Sequence, residues 1–240
     1  MIAYAIRMTW EVLFMEEALE AIKKGQMVIL TDHRDRENEG DLICPAQDIT
    51  GEKINFMVQK ARGLVCVALH PFYVDRLQLP LMGELAGGDT SGQGGAAFTL
   101  SLDGVDTGSG ISPKDRARTI QQLIDPRARR EDFVIPGHMF PLKGAWGGLG
   151  SRMGHTEGSL ELMALAGKME AAVLCELIAE NGEMARDQDL KDFSSKYAIP
   201  VISIADLVSY CKKTKGYLSC QKNTAPRPGS MGSNFYTSAK

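Results

Sequence analysis

The chain's tightest constraint is an alternation of two hydrophobic periods. Apolar runs such as Met27-Val28-Ile29-Leu30, Gly63-Leu64-Val65-Cys66-Val67-Ala68-Leu69 and Ala171-Ala172-Val173-Leu174-Cys175 are too short for core helices and read as buried strands. Between them lie segments with helical spacing. Residues 11–24 put Phe14, Ala18, Leu19 and Ile22 on one face and stop at Gly25, a residue suited to a helix end. The same reading predicts strands over 42–46, 97–102 and 200–204, and helices over 54–61, 113–124, 154–167, 189–197 and 206–211. Ser112 before Pro113 is a natural start for the third of these helices. Glycine is too dense over 83–95 for an element interior, so a loop is expected there. From Lys212 onward Lys, Ser, Gly, Pro and Asn dominate, and 212–240 is expected to be a disordered tail. Residues 1–211 are then one α/β domain with a mixed sheet.

Composition excludes several classes. A net charge of −3 and a pI of about 5.9 provide no basic field for nucleic acid. No apolar run approaches the roughly 20 residues that span a bilayer. Arg7 interrupts the apolar start, and no cleavage pattern follows, which argues against a secretion signal. The five cysteines (Cys44, Cys66, Cys175, Cys211, Cys220) form no CxxC pair, so neither a zinc site nor a disulfide framework is expected. A reducing compartment, the cytoplasm, is the expectation.

Four constellations carry chemistry. In Asp35-Arg36-Glu37-Asn38-Glu39-Gly40-Asp41 the carboxylates of Glu37, Glu39 and Asp41 recur at every second position after a buried strand. In extended backbone they share a side. Close carboxylates repel, so at least one must hold a cation, meet Arg36 or take up a proton; a solvated charged turn is the plain alternative. Arg152-Met153-Gly154-His155-Thr156-Glu157 opens a helix, where free N–H groups, the dipole and a close backbone approach at Gly154 suit an anion. Thr156 as a simple cap and His155 as a packed ring are the structural alternatives. Pro136-Gly137-His138-Met139-Phe140-Pro141-Leu142 presents one histidine on stiffened backbone, for acid–base work or for packing. Glu176 lies in the apolar run 172–177, costly unless a metal, a cation or a hydroxyl-rich ligand meets it.

Together with Gly-Ile-Ser-x-x-Asp-Arg-Ala at 110–117 and Gly-x-Met-Ala-Arg at 182–186, these motifs occur in an order that resembles the 3,4-dihydroxy-2-butanone 4-phosphate synthases of riboflavin biosynthesis, over residues 18–210. The chain looks like the stand-alone form, since it has no cyclohydrolase cysteine cluster. The resemblance implies a three-layer α/β sandwich with a mixed, twisted sheet, acting as a homodimer with residues of both subunits near each site. It implies conversion of ribulose 5-phosphate to L-3,4-dihydroxy-2-butanone 4-phosphate and formate with two Mg²⁺ ions, or Mn²⁺. By the same resemblance Glu37 and His155 hold metal, and Asp32, Glu39, Asp41, Cys66, His138 and Glu176 contact substrate or move protons. Arg36, Ser109, Arg152 and Thr156 anchor substrate and phosphate, with Gly154 beside them.

Around these motifs the chain departs from the family pattern. His33 and Arg34 stand where acidic residues are usual, Gly108-Ser109-Gly110 replaces Thr-Thr-Gly, and the segments 83–95 and 148–152 are richer in glycine. Flexible loops lose more entropy on closing, which would weaken binding. The other readings of these changes are a paralogue acting on a related sugar phosphate and a catalytically silent sugar-phosphate binder.

Overall fold

The computed structural model of the chain describes residues 10–87 and 95–214. In order these form α1 (Trp10–Lys23), β1 (Val28–Thr31), β2 (Gly40–Pro45), α2 (Gly51–Phe56), β3 (Cys66–Leu69), α3 (Pro71–Arg76), α4 (Met82–Leu85), β4 (Ala97–Phe98) and β5 (Leu102–Gly104). They continue as α5 (Pro113–Ile124), β6 (Phe133–Lys143), α6 (His155–Leu165), β7 (Ala171–Glu176), α7 (Asp187–Tyr197), β8 (Val201–Ser203) and α8 (Ile204–Thr214). The strands make one mixed sheet in the order β4-β6-β3-β7-β2-β1-β8, with β5 pairing β6 from the side. β1 runs parallel to β8 and β3 parallel to β6, while β2 and β7 pair antiparallel to their neighbours.

Strand alternation divides the core. In β7, Val173 and Cys175 face one side with Ile54 and Met57 near α2 and Ile120 and Leu123 of α5. Ala172 and Leu174 face the other, with Ile22 of α1, Leu160 and Met163 of α6 and Leu207 of α8. Helices therefore cover both faces, as expected for an α/β sandwich. Period-two burial explains why Asp41, Cys66 and Glu176, on neighbouring strands β2, β3 and β7, emerge together: Asp41 pairs Glu176, and Cys66 pairs Leu174.

Several elements differ from the sequence reading. The helix expected over 54–61 is α2 followed by one π-helical stretch, Met57–Ala61, which ends at Arg62 with φ of 70°. The run 97–102 divides into β4 and the start of β5. Segment 83–95 begins inside α4, and 88–94 lie outside the described residues. α3 and the 11-residue β6 were not expected at all. The Pro136–Pro141 stretch is part of that strand. α8 runs to Thr214, past the tail boundary placed at 212; residues 215–240 lie outside the described residues, as does Cys220. The other four cysteines are buried and free. Among the described residues no helix is long and apolar enough to cross a membrane.

Candidate active site

The turn between β1 and β2 is wired by one buried carboxylate. Asp32 Oδ1 accepts the Glu39 N–H at 2.9 Å, and Oδ2 accepts the Glu37 N–H at 3.1 Å and Arg36 Nη1 at 2.8 Å. Asn38 takes a positive φ of 53°, a conformation asparagine tolerates better than most residues. This folds Glu37 back toward Arg36, whose guanidinium makes two 2.8 Å bonds to the Glu37 carboxylate. Burial pushes Asp32 up, but the two N–H groups, the His155 ring and Arg36 outweigh it and hold the carboxyl below its usual range.

α6 enters from the opposite side. Gly154 is its N-cap and no side chain caps it, so Thr156 is not a capping residue. A Cβ at Gly154 would stand 2.8 Å from Arg152 Nη1 and 3.1 Å from Glu157 Oε2. A side chain there would push the Arg152 guanidinium aside. Glu157, which the sequence reading passed over, is buried, accepts the Ala145 N–H and holds Arg152 Nη1 at 2.7 Å. A carboxylate three residues into a helix beside an arginine was the signal that could have found it.

His155 is buried, and burial lowers its pKa, which keeps the imidazole neutral and able to bind metal. Its Nε2 is buried with no hydrogen-bond partner. Asp32, Glu37 and His155 each offer an atom within 4.8 Å of the others. Two carboxylates and a neutral imidazole, whose Nδ1 lies 3.8 Å from Glu37 Oε2, fit a divalent cation such as Mg²⁺ or Mn²⁺.

Beyond this cluster opens a cavity of about 280 Å³, lined by Arg36, Glu37, Glu39, Asp41, Cys66, Arg152, His155, Thr156 and Glu176, with Phe98 and Leu142 among its apolar walls. Burial and then the Glu37 charge raise the Glu39 pKa. Burial, then the carboxylate of Glu176, pushes Asp41 far above the ordinary range, so it keeps a proton that an exposed aspartate has lost. Burial likewise pushes the Cys66 thiol well up, leaving a thiol rather than a thiolate. The Glu176 carboxylate is met not by an arginine but by the Leu64 N–H at 2.8 Å, and Gly63 leaves room for it. A larger concavity of about 680 Å³ lies between α1, α7 and the same turn. It shares Glu39 and also reaches Asp32, but lacks His155, Glu176 and Arg152, so the chemistry belongs to the smaller one.

Four expected residues do not line the cavity: Asp32 lies behind it, wiring the turn, Gly154 caps α6 beside it, and His138 and Ser109 stand apart. His138 sits on β6 with its Nδ1 2.7 Å from Asp103 Oδ2. Exposed Ser109 precedes Gly110, which packs against the same Asp103. His33 and Arg34, the reversed charges, also avoid the cavity. His33 turns to Asp35, and Arg34 reaches Asp187 of α7 at 2.8 Å.

Known proteins match this arrangement. A 3,4-dihydroxy-2-butanone 4-phosphate synthase of Wolinella succinogenes is 46% identical over 197 residues, 82% of this chain and 55% of its own. One of Campylobacter jejuni is 42% identical over 210 residues, 88% of this chain and 61% of its own. The chain thus spans about half to three fifths of the length of these relatives. A solved 3,4-dihydroxy-2-butanone 4-phosphate synthase in complex with two magnesium ions superposes with a TM-score of 0.77 at 35% identity, covering 84% of this chain and 97% of that one. The family model described as 3,4-dihydroxy-2-butanone 4-phosphate synthase matches residues 16–210, and the chain belongs to that family.

Proposed function

We propose that this chain converts D-ribulose 5-phosphate to L-3,4-dihydroxy-2-butanone 4-phosphate and formate, supplying the four-carbon unit of riboflavin. The observation that carries this reading is the cluster of Asp32, Glu37 and His155 beside a cavity whose walls also hold Glu39, Asp41 and Glu176. Atoms balance without a co-reactant: C5H11O8P gives C4H9O6P and CH2O2, and the water lost at C1 is regained when C4 leaves as formate.

Glu37 and His155, with Asp32 behind them, would hold Mg²⁺ or Mn²⁺, two ions as in the magnesium-bound relative. A divalent cation bound there supplies Lewis-acid polarisation of the sugar's oxygens. The phosphate binds at Arg152, Thr156 and the α6 N-terminus beside Gly154, with Arg36 as a second cationic arm. Asp41, with Glu39 beside it, delivers a proton to the departing C1 hydroxyl. Glu176, fixed by the Leu64 N–H, and the Cys66 thiol orient the carbon chain through the rearrangement.

His138 and Ser109 complete the site from a second subunit. Val134, paired with Asp103, and Ile111, next to Gly110, are 53% and 51% exposed, and two apolar side chains left open near the Asp103–His138 pair fit a homodimer contact. The free, buried cysteines suit the cytoplasm.

Purified protein given Mg²⁺ and ribulose 5-phosphate should release formate, and EDTA should stop it. Folded dimer that releases no EDTA-sensitive formate overturns the assignment.

A further inference from the structure

The His138 ring is held at one end only, and what holds it plays no part in the motifs above. β5 and β6 pair Leu102 with Met139 but Asp103 with Val134, so Ile135–His138 bulge out opposite a single step of β5. A bulge of this kind re-aims side chains. At its tip Asp103 bonds His138 twice. Its Oδ1 accepts the His138 backbone N–H at 2.9 Å, and its Oδ2 lies 2.7 Å from the ring Nδ1. Gly110 and Gly137 both pack so closely on Asp103 that neither has room for a Cβ. Gly104 donates its N–H to Thr119 Oγ1 at 3.0 Å, tying the strand to α5. The Asp103 side chain is 13% exposed, whereas that of His138 is 43% exposed.

We propose that Asp103 is the positioning residue of His138, fixing its ring direction and its tautomer; this rests on the reading of His138 as an acid–base group. A carboxylate can only accept, so Nδ1 carries the proton and Nε2 is left with a lone pair facing outward. The ring nitrogen offered to substrate is therefore a proton acceptor, and the Asp103 charge stabilises the imidazolium formed when it takes one. Asp103 touches no reacting atom. Its carboxylate is fixed by the two-point bond, and its place in a buried strand next to glycine repeats the pattern of Glu176.

The Asp103→Asn variant keeps the shape and the backbone bond but can present an amide N–H to Nδ1, which moves the ring proton to Nε2. Its kcat should fall at least about 100-fold while KM changes little, as expected when an interaction made in the transition state is lost. Adding His138→Gln to Asp103→Asn should cost little more, because the two act as a unit. ¹⁵N NMR of the wild-type holoenzyme should show His138 protonated at Nδ1, assigned by the loss of its signals in His138→Gln. That measurement stands even if Asp103→Asn folds poorly. A wild-type ring protonated at Nε2, or an Asp103→Asn kcat near wild type beside an inactive His138→Gln, overturns the proposal and leaves the reading of His138 intact. A His138→Gln variant with normal kcat overturns both.

Discussion

His155 Nδ1 stands 3.8 Å from Glu37 Oε2, and the ring's other nitrogen is buried with nothing to bond. At 3.8 Å the two do not hydrogen-bond, and a neutral ring nitrogen facing a carboxylate oxygen offers two donor atoms to a divalent cation. Mn²⁺ titrations of wild type, Glu37→Gln and His155→Ala, followed by the EPR signal of free Mn²⁺, should show each variant weakened at least about 10- to 100-fold. Binding by either variant at wild-type strength would remove that residue from the ligand set.

Arg36 bridges Asp32 and Glu37 through one Nη1, with 2.8 Å to each, and so stands as an internal cation among the expected ligands. Metal entry must displace part of that contact. The Arg36–Glu37 half of that bridge is exposed enough to be worth about 0.5–1 kcal/mol, so Arg36→Met should tighten Mn²⁺ binding about two- to fivefold. The same variant should raise KM for the sugar phosphate, since one cationic arm is gone. Weaker metal binding in Arg36→Met would show that the guanidinium organises the turn more than it competes.

If His138 acts on the neighbouring subunit, two inactive chains can rescue each other. Glu37→Gln lacks a ligand in its own cavity but carries a normal His138; His138→Gln is the reverse. Equal amounts unfolded and refolded together should recover about one quarter of wild-type activity, because half the dimers are mixed and each has one intact site. Neither parent should show any. No recovery from confirmed mixed dimers would place both residues in the same subunit's site.

Legibility followed sequence distance. The acidic turn was readable because Glu37, Glu39 and Asp41 are local to one another and follow a buried strand. Its relation to His155 could not be read from spacing, as the two meet only through the packing of α6 against the sheet. β6 was missed because Pro136 and Pro141 each remove a ladder donor, which argues against a strand unless the strand is bulged, as this one is. α3 was missed because its N-cap is His70, whose ring Nδ1 accepts the Phe72 N–H at 3.2 Å in place of the usual hydroxyl or carboxylate. Asp103 was invisible because its partner lies 35 residues on.

That unusual cap makes stability depend on pH. Burial depresses the His70 pKa from 6.5 to about 4, while the unfolded chain titrates normally. A depressed pKa means the unfolded state binds the extra proton first, so stability is full above about pH 6.5 and falls as pH drops toward 4. The loss between pH 7 and pH 5 is at most about 2 kcal/mol. The Asp75 charge works against burial but does not offset it. Urea unfolding, read by the fluorescence of Trp146, which packs edge-on 5.3 Å from the His70 ring, measures the loss directly. His70→Asn can keep the cap through its side-chain oxygen but cannot titrate, so the variant should lose about 1–2 kcal/mol less than wild type over the same range. Equal losses in the two proteins would assign the acid sensitivity to the carboxylates around Asp32 instead.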